Sequence, residues 1–317
     1  MRLPDFLIIG AAKSGTTTLY KYLCQHPQIY MSVPKEPNFF GDDGCYAKGL
    51  DWYTSLFINA KSHQFCGEAS TFYTLNFTST TPLFSYKLQP VTVSKCAGRI
   101  AKIIPNVKLI YIMRNPIDRA YSHWSHHMRI AQYLDLKENT SKRYVTKIMV
   151  ERFEDNMRHQ LFYLENSNYM ERIEQYLCYF PRESFLFLFM DDLIHATADT
   201  LRKVCNFLEI DEIDLTKGES IWANDKRYHF DNIIRSRITT PLKSIPGVSR
   251  VASLLPQGLH DCVYQGLRQL PTGKQIEQKY LPPPMLPETR KILIERFREP
   301  NQKLAEFLNC DLSHWSK

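Results

Sequence analysis

The sequence predicts an α/β fold, a parallel sheet flanked by helices in three layers, and three observations carry that prediction. Short apolar runs stand at residues 5–10 (DFLIIG), 107–113 (VKLIYIM) and 184–190 (SFLFLFM). Runs of this length suit strands buried on both faces, as parallel sheets bury theirs. Each run leads into a turn or cap and then a stretch of helical character. Strand, turn and helix in succession is how α/β domains are built.

The elements follow in order. The first strand ends at Gly10, and after a Ser/Gly/Thr cluster a helix is expected from Leu19 to Cys24. Gln64 to Ala69 is a weaker strand candidate. After 107–113, Asn115 supplies an N-cap, Pro116 fits the first helical position, and Asp118 lies in the first turn. The run at 184–190 precedes a helix through Leu201 to Leu208. Further helices are expected over Val150 to Leu164, Tyr169 to Tyr179 and Pro287 to Leu308. Residues 216–284 carry the basic string Lys226-Arg227, Arg235 and Arg237 and close on Pro282-Pro283-Pro284. They read as an irregular covering segment within a single domain spanning 1–317.

Composition narrows the class. The 317 residues can bury a sizeable core, and 44% hydrophobic with 23% charged content is ordinary for a globular chain. Twelve glycines exclude collagen-like and Gly-rich repeats. No apolar run approaches the roughly 18–20 residues of a membrane helix, and none resembles a secretory signal. The eight cysteines, at 24, 45, 66, 96, 178, 205, 262 and 310, never form C-x-x-C. They suggest neither a zinc site nor a secreted disulfide scaffold, so a cytoplasmic location is expected. The net charge of +7 fits nucleic acid, a membrane surface or a phosphate-bearing cofactor.

The segment Gly10-Ala11-Ala12-Lys13-Ser14-Gly15-Thr16-Thr17-Thr18 is the first to carry chemistry. Between a strand and a helix, its backbone N–H groups and the helix dipole make an anion site. Gly15 lets the chain pass close to a phosphate, and the threonine hydroxyls add donors. The loop is P-loop-like with a difference: Thr16 and Thr17 follow Gly15 where a Walker A loop has Lys-Ser/Thr, and the lysine sits earlier, at Lys13. After the run at 107–113, Arg114 at a strand end and Ser122 two helical turns on can converge on one phosphate.

These segments resemble the sulfotransferases that use 3′-phosphoadenosine 5′-phosphosulfate (PAPS). The resemblance implies the sulfotransferase fold, with Lys13, Ser14, Gly15, Thr16, Thr17 and Thr18 on the 5′-phosphosulfate and Arg114 with Ser122 on the 3′-phosphate. Arg119 is expected as a surface charge or a charge behind the contacting groups. Lys35-Glu36-Pro37-Asn38-Phe39-Phe40, with Lys48-Gly49-Leu50-Asp51-Trp52-Tyr53, resembles the heparan sulfate sulfotransferase subgroup (N- and 3-O-sulfotransferase-like). There a glutamate just before a Phe-Phe pair is the catalytic base, which places that role on Glu36. The resemblance touches residues 5–53, 65–73, 107–124 and 285–315.

The departures are specific. Where the subgroup often has Glu-Lys, this chain reads Glu68-Ala69, and Gly41 stands where an acidic residue sometimes follows Phe-Phe. The subgroup's late Lys-Gly-Arg loop and its flanking cysteines are absent. Arg235, Arg237, Lys274 and Lys279 are the alternatives for closing on the cofactor. The cofactor expectation stands, while a heparan-like acceptor does not follow.

The expected reaction is sulfuryl transfer from PAPS to a hydroxyl or amine of a carbohydrate or small-molecule natural product, a secondary metabolite for instance. Adenosine 3′,5′-bisphosphate is the expected product, with Lys13 and Glu36 catalytic. No metal is expected. His123 and His127 share a helix face but have no third ligand in view, and His123 remains a rival base. Aromatic residues such as Trp52, Tyr53, Phe72, Tyr73 and Trp222 either line an acceptor pocket or pack in the core. The alternative reading is a P-loop nucleotide kinase or NTPase; the displaced lysine counts against it. Neither nucleic acid nor a membrane anchor is expected, since the basic residues form no dense run. Oligomeric state is left open.

Overall fold

Among the described residues, five strands form one parallel sheet: β1 (Phe6–Gly10), β2 (Ile29–Met31), β3 (Phe65–Ala69), β4 (Lys108–Met113) and β5 (Phe185–Phe189). Their order is β2-β3-β1-β4-β5. The register is Phe6 on Gly67 and Ile8 on Ala69 to one side of β1, and Ile8 on Ile110 to the other. Beyond it, β4 pairs with β5 from Leu109 on Phe185 to Met113 on Phe189. This computed structural model describes residues 2–76, 92–137, 152–159, 161–216, 266, 269–271, 274–275 and 281–317.

The helices, in chain order, are α1 (Thr16–Leu23), α2 (Asp43–Tyr46), α3 (Gly49–Ser55), α4 (Val93–Ile103) and α5 (Pro116–Lys137). Then come α6 (Phe153–His159), α7 (Phe162–Glu165), α8 (Tyr169–Leu177), α9 (Met190–His195), α10 (Thr197–Leu208) and α11 (Pro287–Leu308). The chain divides into two compact units. One comprises Met1–Trp124, Phe153–Ala223 and Met285–Lys317; the other comprises Ser125–Arg152 and Asn224–Pro284. The expected covering segment, 216–284, falls mainly in the second unit. Most of it, Trp222, Arg235, Arg237 and Lys279 included, lies outside the described residues. Lys274 is described and is exposed.

Alternation along the central strands makes the three layers of the first unit. Leu7 and Ile9 of β1 with Leu109, Tyr111 and Met113 of β4 enter one core, against Ile100 of α4, Ile173 of α8 and Leu304 of α11. Phe6 and Ile8 with Ile110 and Ile112 enter the other, against Leu19 of α1 and Val204 and Leu208 of α10. Successive side chains of a strand point to opposite faces, so a sheet covered on both sides needs apolar residues at every position.

The strands agree with the sequence reading, with differences at the margins. The three-residue β2 is too short to register as an apolar run. The helices α1 and α10 begin at Thr16 and Thr197, earlier than Leu19 and Leu201. The expected helix over 150–164 is two pieces, α6 and α7, and residues 150–151 and 160 lie outside the described residues. The seven described cysteines are all free, and Cys262 lies outside the description. No described helix is long and apolar enough to cross a membrane.

One glycine sets how closely β1 and β3 pack. A Cβ on Gly67 would lie 2.1 Å from the Phe6 ring, which is itself wholly buried. Gly67→Ala is therefore expected to cost about 1–3 kcal/mol through overpacking. Urea unfolding should show this as a lower midpoint at an unchanged slope.

Candidate active site

Because the strands are parallel, the chain leaves β1, β3 and β4 at the same edge of the sheet. Ligands of open α/β sheets bind outside this edge, where connections from a central strand depart in opposite directions. Here β1 is that strand, with β3 on one side and β4 on the other. The sequence-predicted site residues lie on the segments that leave these strands and on the loop after β2.

The loop after β1 is tightly held. Ala11 N–H donates to Ile112 O at 2.8 Å, and Ser14 N–H to Ala11 O at 3.2 Å. A Cβ on Gly10 would meet Thr74 Oγ1 at 2.1 Å, so only glycine lets the strand end pass there. Gly15, with φ 93°, is the N-cap of α1; it has no side chain to cap the helix, and the first turn holds no acidic residue. The N–H groups of that turn and the positive end of the dipole are left for an anion. Thr16 and Thr18 are buried, while Lys13 and Thr17 are half-buried. Ser14 is wholly buried, with its Oγ lacking a partner at hydrogen-bonding distance and the Tyr169 hydroxyl as its polar neighbour. An orphaned hydroxyl beside an uncapped helix start fits a phosphate or sulfate group.

Arg119 lies beneath this loop. It is wholly buried, which corrects the expectation of a surface charge, and it stands behind the loop instead. Nη1 donates to Ala12 O at 3.3 Å, Nη2 to Tyr163 O at 2.9 Å and Nε to Ser167 Oγ at 2.8 Å. All three acceptors are neutral, and burial holds the guanidinium pKa below its ordinary value. Among the described residues no carboxylate pairs with it. A buried cation of this kind is costly and adds positive potential where the loop gathers anion donors.

The segment after β4 carries Arg114 and Ser122, both half-buried. The Tyr169 hydroxyl accepts from Arg114 N–H at 3.2 Å and donates to Arg114 O at 2.7 Å, fixing the strand end on both sides. Burial raises the Tyr169 pKa, which keeps the phenol neutral and able to donate. Asn115 caps α5 as expected: Oδ1 accepts from Ile117 N–H at 3.0 Å, and Nδ2 donates to Trp315 O at 3.0 Å. Tyr169 is not identifiable as a site residue from spacing, because its partner Arg114 lies 55 residues away.

Glu36 lies on the loop after β2, and its N–H donates to Ala69 O at 3.0 Å at the end of β3. Its carboxylate pairs with Lys35 Nζ at 2.5 Å, and its side chain is 33% exposed, open to an incoming molecule. Phe39 and Phe40 are buried; the Phe39 ring stacks on Tyr53 at 4.2 Å. Arg99 of α4 secures the far side, donating to Phe40 O at 3.1 Å, lying 4.1 Å over the Tyr46 ring and pairing with Asp43. Hydrogen bonds from Lys95 and Arg99 hold the Asp43 carboxyl below its usual range. Of the candidate acceptor aromatics, Tyr53 and Tyr73 are core residues, while Trp52 and Phe72 are half-buried.

His123 is buried on α5 between the rings of Phe162 and Tyr163, at 5.4 and 5.3 Å. Among the described residues no group of three or more His, Cys, Asp or Glu could hold a metal ion.

Known proteins match this arrangement. The Sulfotransferase domain family matches residues 3–245. Bifunctional heparan sulfate N-deacetylase/N-sulfotransferase 4 of Mus musculus is 27% identical over 311 residues, 97% of this chain. Heparan sulfate glucosamine 3-O-sulfotransferase 5 of Mus musculus is 29% identical over 211 residues, 66% of this chain. The alignments span only 30% and 54% of those two proteins. In three dimensions a sulfotransferase from Alicyclobacillus acidocaldarius aligns over 100% of both chains with a TM-score of 0.59 at 22% identity, which shows a shared fold. With the family matched across residues 3–245 and its fold present, the chain belongs to the sulfotransferase family.

Proposed function

We propose that the chain moves the sulfuryl group of PAPS onto a hydroxyl or amine of a carbohydrate or small-molecule acceptor. Glu36 is the general base, and Lys13 lies at the leaving group. The observation that carries this is the uncapped, acid-free start of α1, backed by buried Arg119, on the same sheet edge as Glu36. Lys13, Ser14, Gly15, Thr16, Thr17 and Thr18 hold the 5′-phosphosulfate; Arg114 and Ser122 hold the 3′-phosphate. The relatives named for heparan sulfate support a carbohydrate acceptor, and Ala69, where they often carry lysine, supports contacts different from theirs. Residues 1–317 form one sulfotransferase domain in this reading, with 216–284 as its covering segment.

Bound there, PAPS supplies an activated sulfuryl group on a phosphate leaving group. The protein contributes position and charge. The Lys13 ammonium offsets negative charge as it gathers on the bridging oxygen, and the N–H groups of the loop fix the phosphate. Glu36 takes the proton of the acceptor, and Lys35 orients its carboxylate until then.

Three measurements test the reading. Adenosine 3′,5′-bisphosphate at about one hundred times its Kd should stabilise the protein by about 2.7 kcal/mol, seen as a rise in Tm. ATP with Mg²⁺ should do far less, and the reverse order would favour a nucleotide kinase. Glu36→Gln should lower kcat by ~10²–10⁴ while keeping the bisphosphate-induced rise, and wild-type turnover would remove Glu36 as the base. Arg114→Ala should lose most of that rise, whereas an undiminished shift would exclude its contact with the 3′-phosphate.

A further inference from the structure

A second carboxyl group lies behind Glu36, one that the reaction as described does not use. Glu68, the fourth residue of β3, is wholly buried. Tyr53 and Tyr73 donate their hydroxyls to Oε2 at 2.5 and 2.9 Å, and Ser70 donates Oγ–H to Oε1 at 2.5 Å. Two of these donors also accept from the loop that carries Glu36. Ser70 Oγ accepts from Asn38 N–H at 3.0 Å, and Tyr73 Oη from Phe40 N–H at 3.4 Å. Each carboxyl oxygen of Glu68 is therefore one side chain away from the backbone just beyond Glu36.

The loop needs such ties. Glu36 and Asn38 both have left-handed backbone, with φ of 62° and 54°. Non-glycine residues adopt this conformation only where surrounding contacts hold them, at a cost of order 1–3 kcal/mol each. Glu36 N–H bonded to Ala69 O is one hold, and the Ser70 and Tyr73 bonds are the other two.

We propose that Glu68 is the positioning residue for Glu36: it fixes the loop at Asn38 through Ser70 and at Phe40 through Tyr73. The inference rests on the reading of Glu36 as the base. The groups facing Glu68 are Tyr53 from α3, Ser70 and Tyr73 after β3, Tyr176 from α8 and Glu36 from the loop, itself paired with Lys35. Burial pushes the Glu68 carboxyl up to about 7; the three hydroxyl donors oppose this and the charge of Glu36 adds to it. Three hydroxyl donors on its two oxygens favour the ionised form and oppose the effect of burial.

The first test needs neither PAPS nor an acceptor, so its failure is distinguishable from failure of the sulfotransfer reading. The protein is labelled with ¹³C at the glutamate carboxyls, and the Glu68 signal is identified by its absence in Glu68→Gln. A pH titration should place its midpoint near 7 and move it up in Ser70→Ala and in Tyr73→Phe, each of which removes one hydroxyl that donates to the carboxylate. An unmoved midpoint in both overturns the ties through these hydroxyls. The second test is Ser70→Ala, which keeps Glu68 and cuts the tie to Asn38. Its kcat should fall ~10–10²-fold with KM for PAPS within about twofold, as for a misplaced catalytic group. An unchanged kcat overturns the positioning role. Should Glu68→Gln fail to fold, Tyr73→Phe cuts the tie to Phe40 and is expected to show the same split between kcat and KM.

Discussion

The site follows from a single topological constraint. Parallel neighbours cannot be joined by a tight turn, so each connection crosses over and the strands end at one edge. With β1 between β3 and β4, three chain exits meet there: the anion loop, the Ser70 turn and Arg114. Their closeness depends on contacts that tolerate no added atom. Gly10 passes against the Thr74 side chain, and the pairing of β1 with β4 shifts register between Ile8 and Gly10. That shift lets the loop turn from the sheet while Ala11 N–H still reaches Ile112 O.

The charge of Arg119 is held with no carboxylate partner among the described residues. A domain optimised only for stability would give Arg119 a carboxylate partner or replace it, since a buried cation costs several kcal/mol. Instead it is held by Ala12 O, Tyr163 O and Ser167 Oγ, and its charge remains available to whatever anion the loop holds. Tyrosine hydroxyls do much of the surrounding hydrogen bonding. Burial raises the pKa values of Tyr53, Tyr73 and Tyr169, so the phenols stay neutral and donate to Glu68 or to the end of β4. Uncharged donors shape the site without cancelling its positive potential.

What the sequence made legible follows from how local each signal is. The strands β1, β4 and β5 announce themselves as apolar runs, and the anion loop by its glycines, lysine and threonines. The Asn115-Pro116 start of α5 is local too, its cap bonds spanning two or three residues. The helix α4 was missed although its signals are local: Val93, Cys96, Ala97 and Ile100 recur at helical spacing and Thr92 caps it through Lys95 N–H. For Arg119 the sequence left open a surface charge or a charge behind the contacting groups, since a charged residue on a helix is usually solvated; its burial and its bond to Ala12 O decide for the second. Glu68 gave a faint hint, a carboxylate between Gly67 and Ala69 in a strand that must be covered. Its partners Tyr53 and Tyr73 lie 15 and 5 residues away, and no spacing rule joins them.

Of five left-handed non-glycine residues described, three lie where the chemistry is assigned: Lys13, Glu36 and Asn38, with φ of 71°, 62° and 54°, and Gly15 nearby has φ 93°. The other two, Glu209 and Asn309, are the C-caps of α10 and α11. Two of the three carry the charges that the proposed transfer needs. An ordinary extended or helical conformation at either place would redirect its side chain. Such residues persist only where the surroundings over-determine them. Around Glu36 the bonds to Ala69, Ser70 and Tyr73 do so. Around Lys13 the helix start and the Ala11–Ile112 bond do so. Both sets of restraints come from β1 and its two neighbours, so the sheet order that gathers the groups assigned to the proposed transfer also holds them in conformations they would not adopt alone.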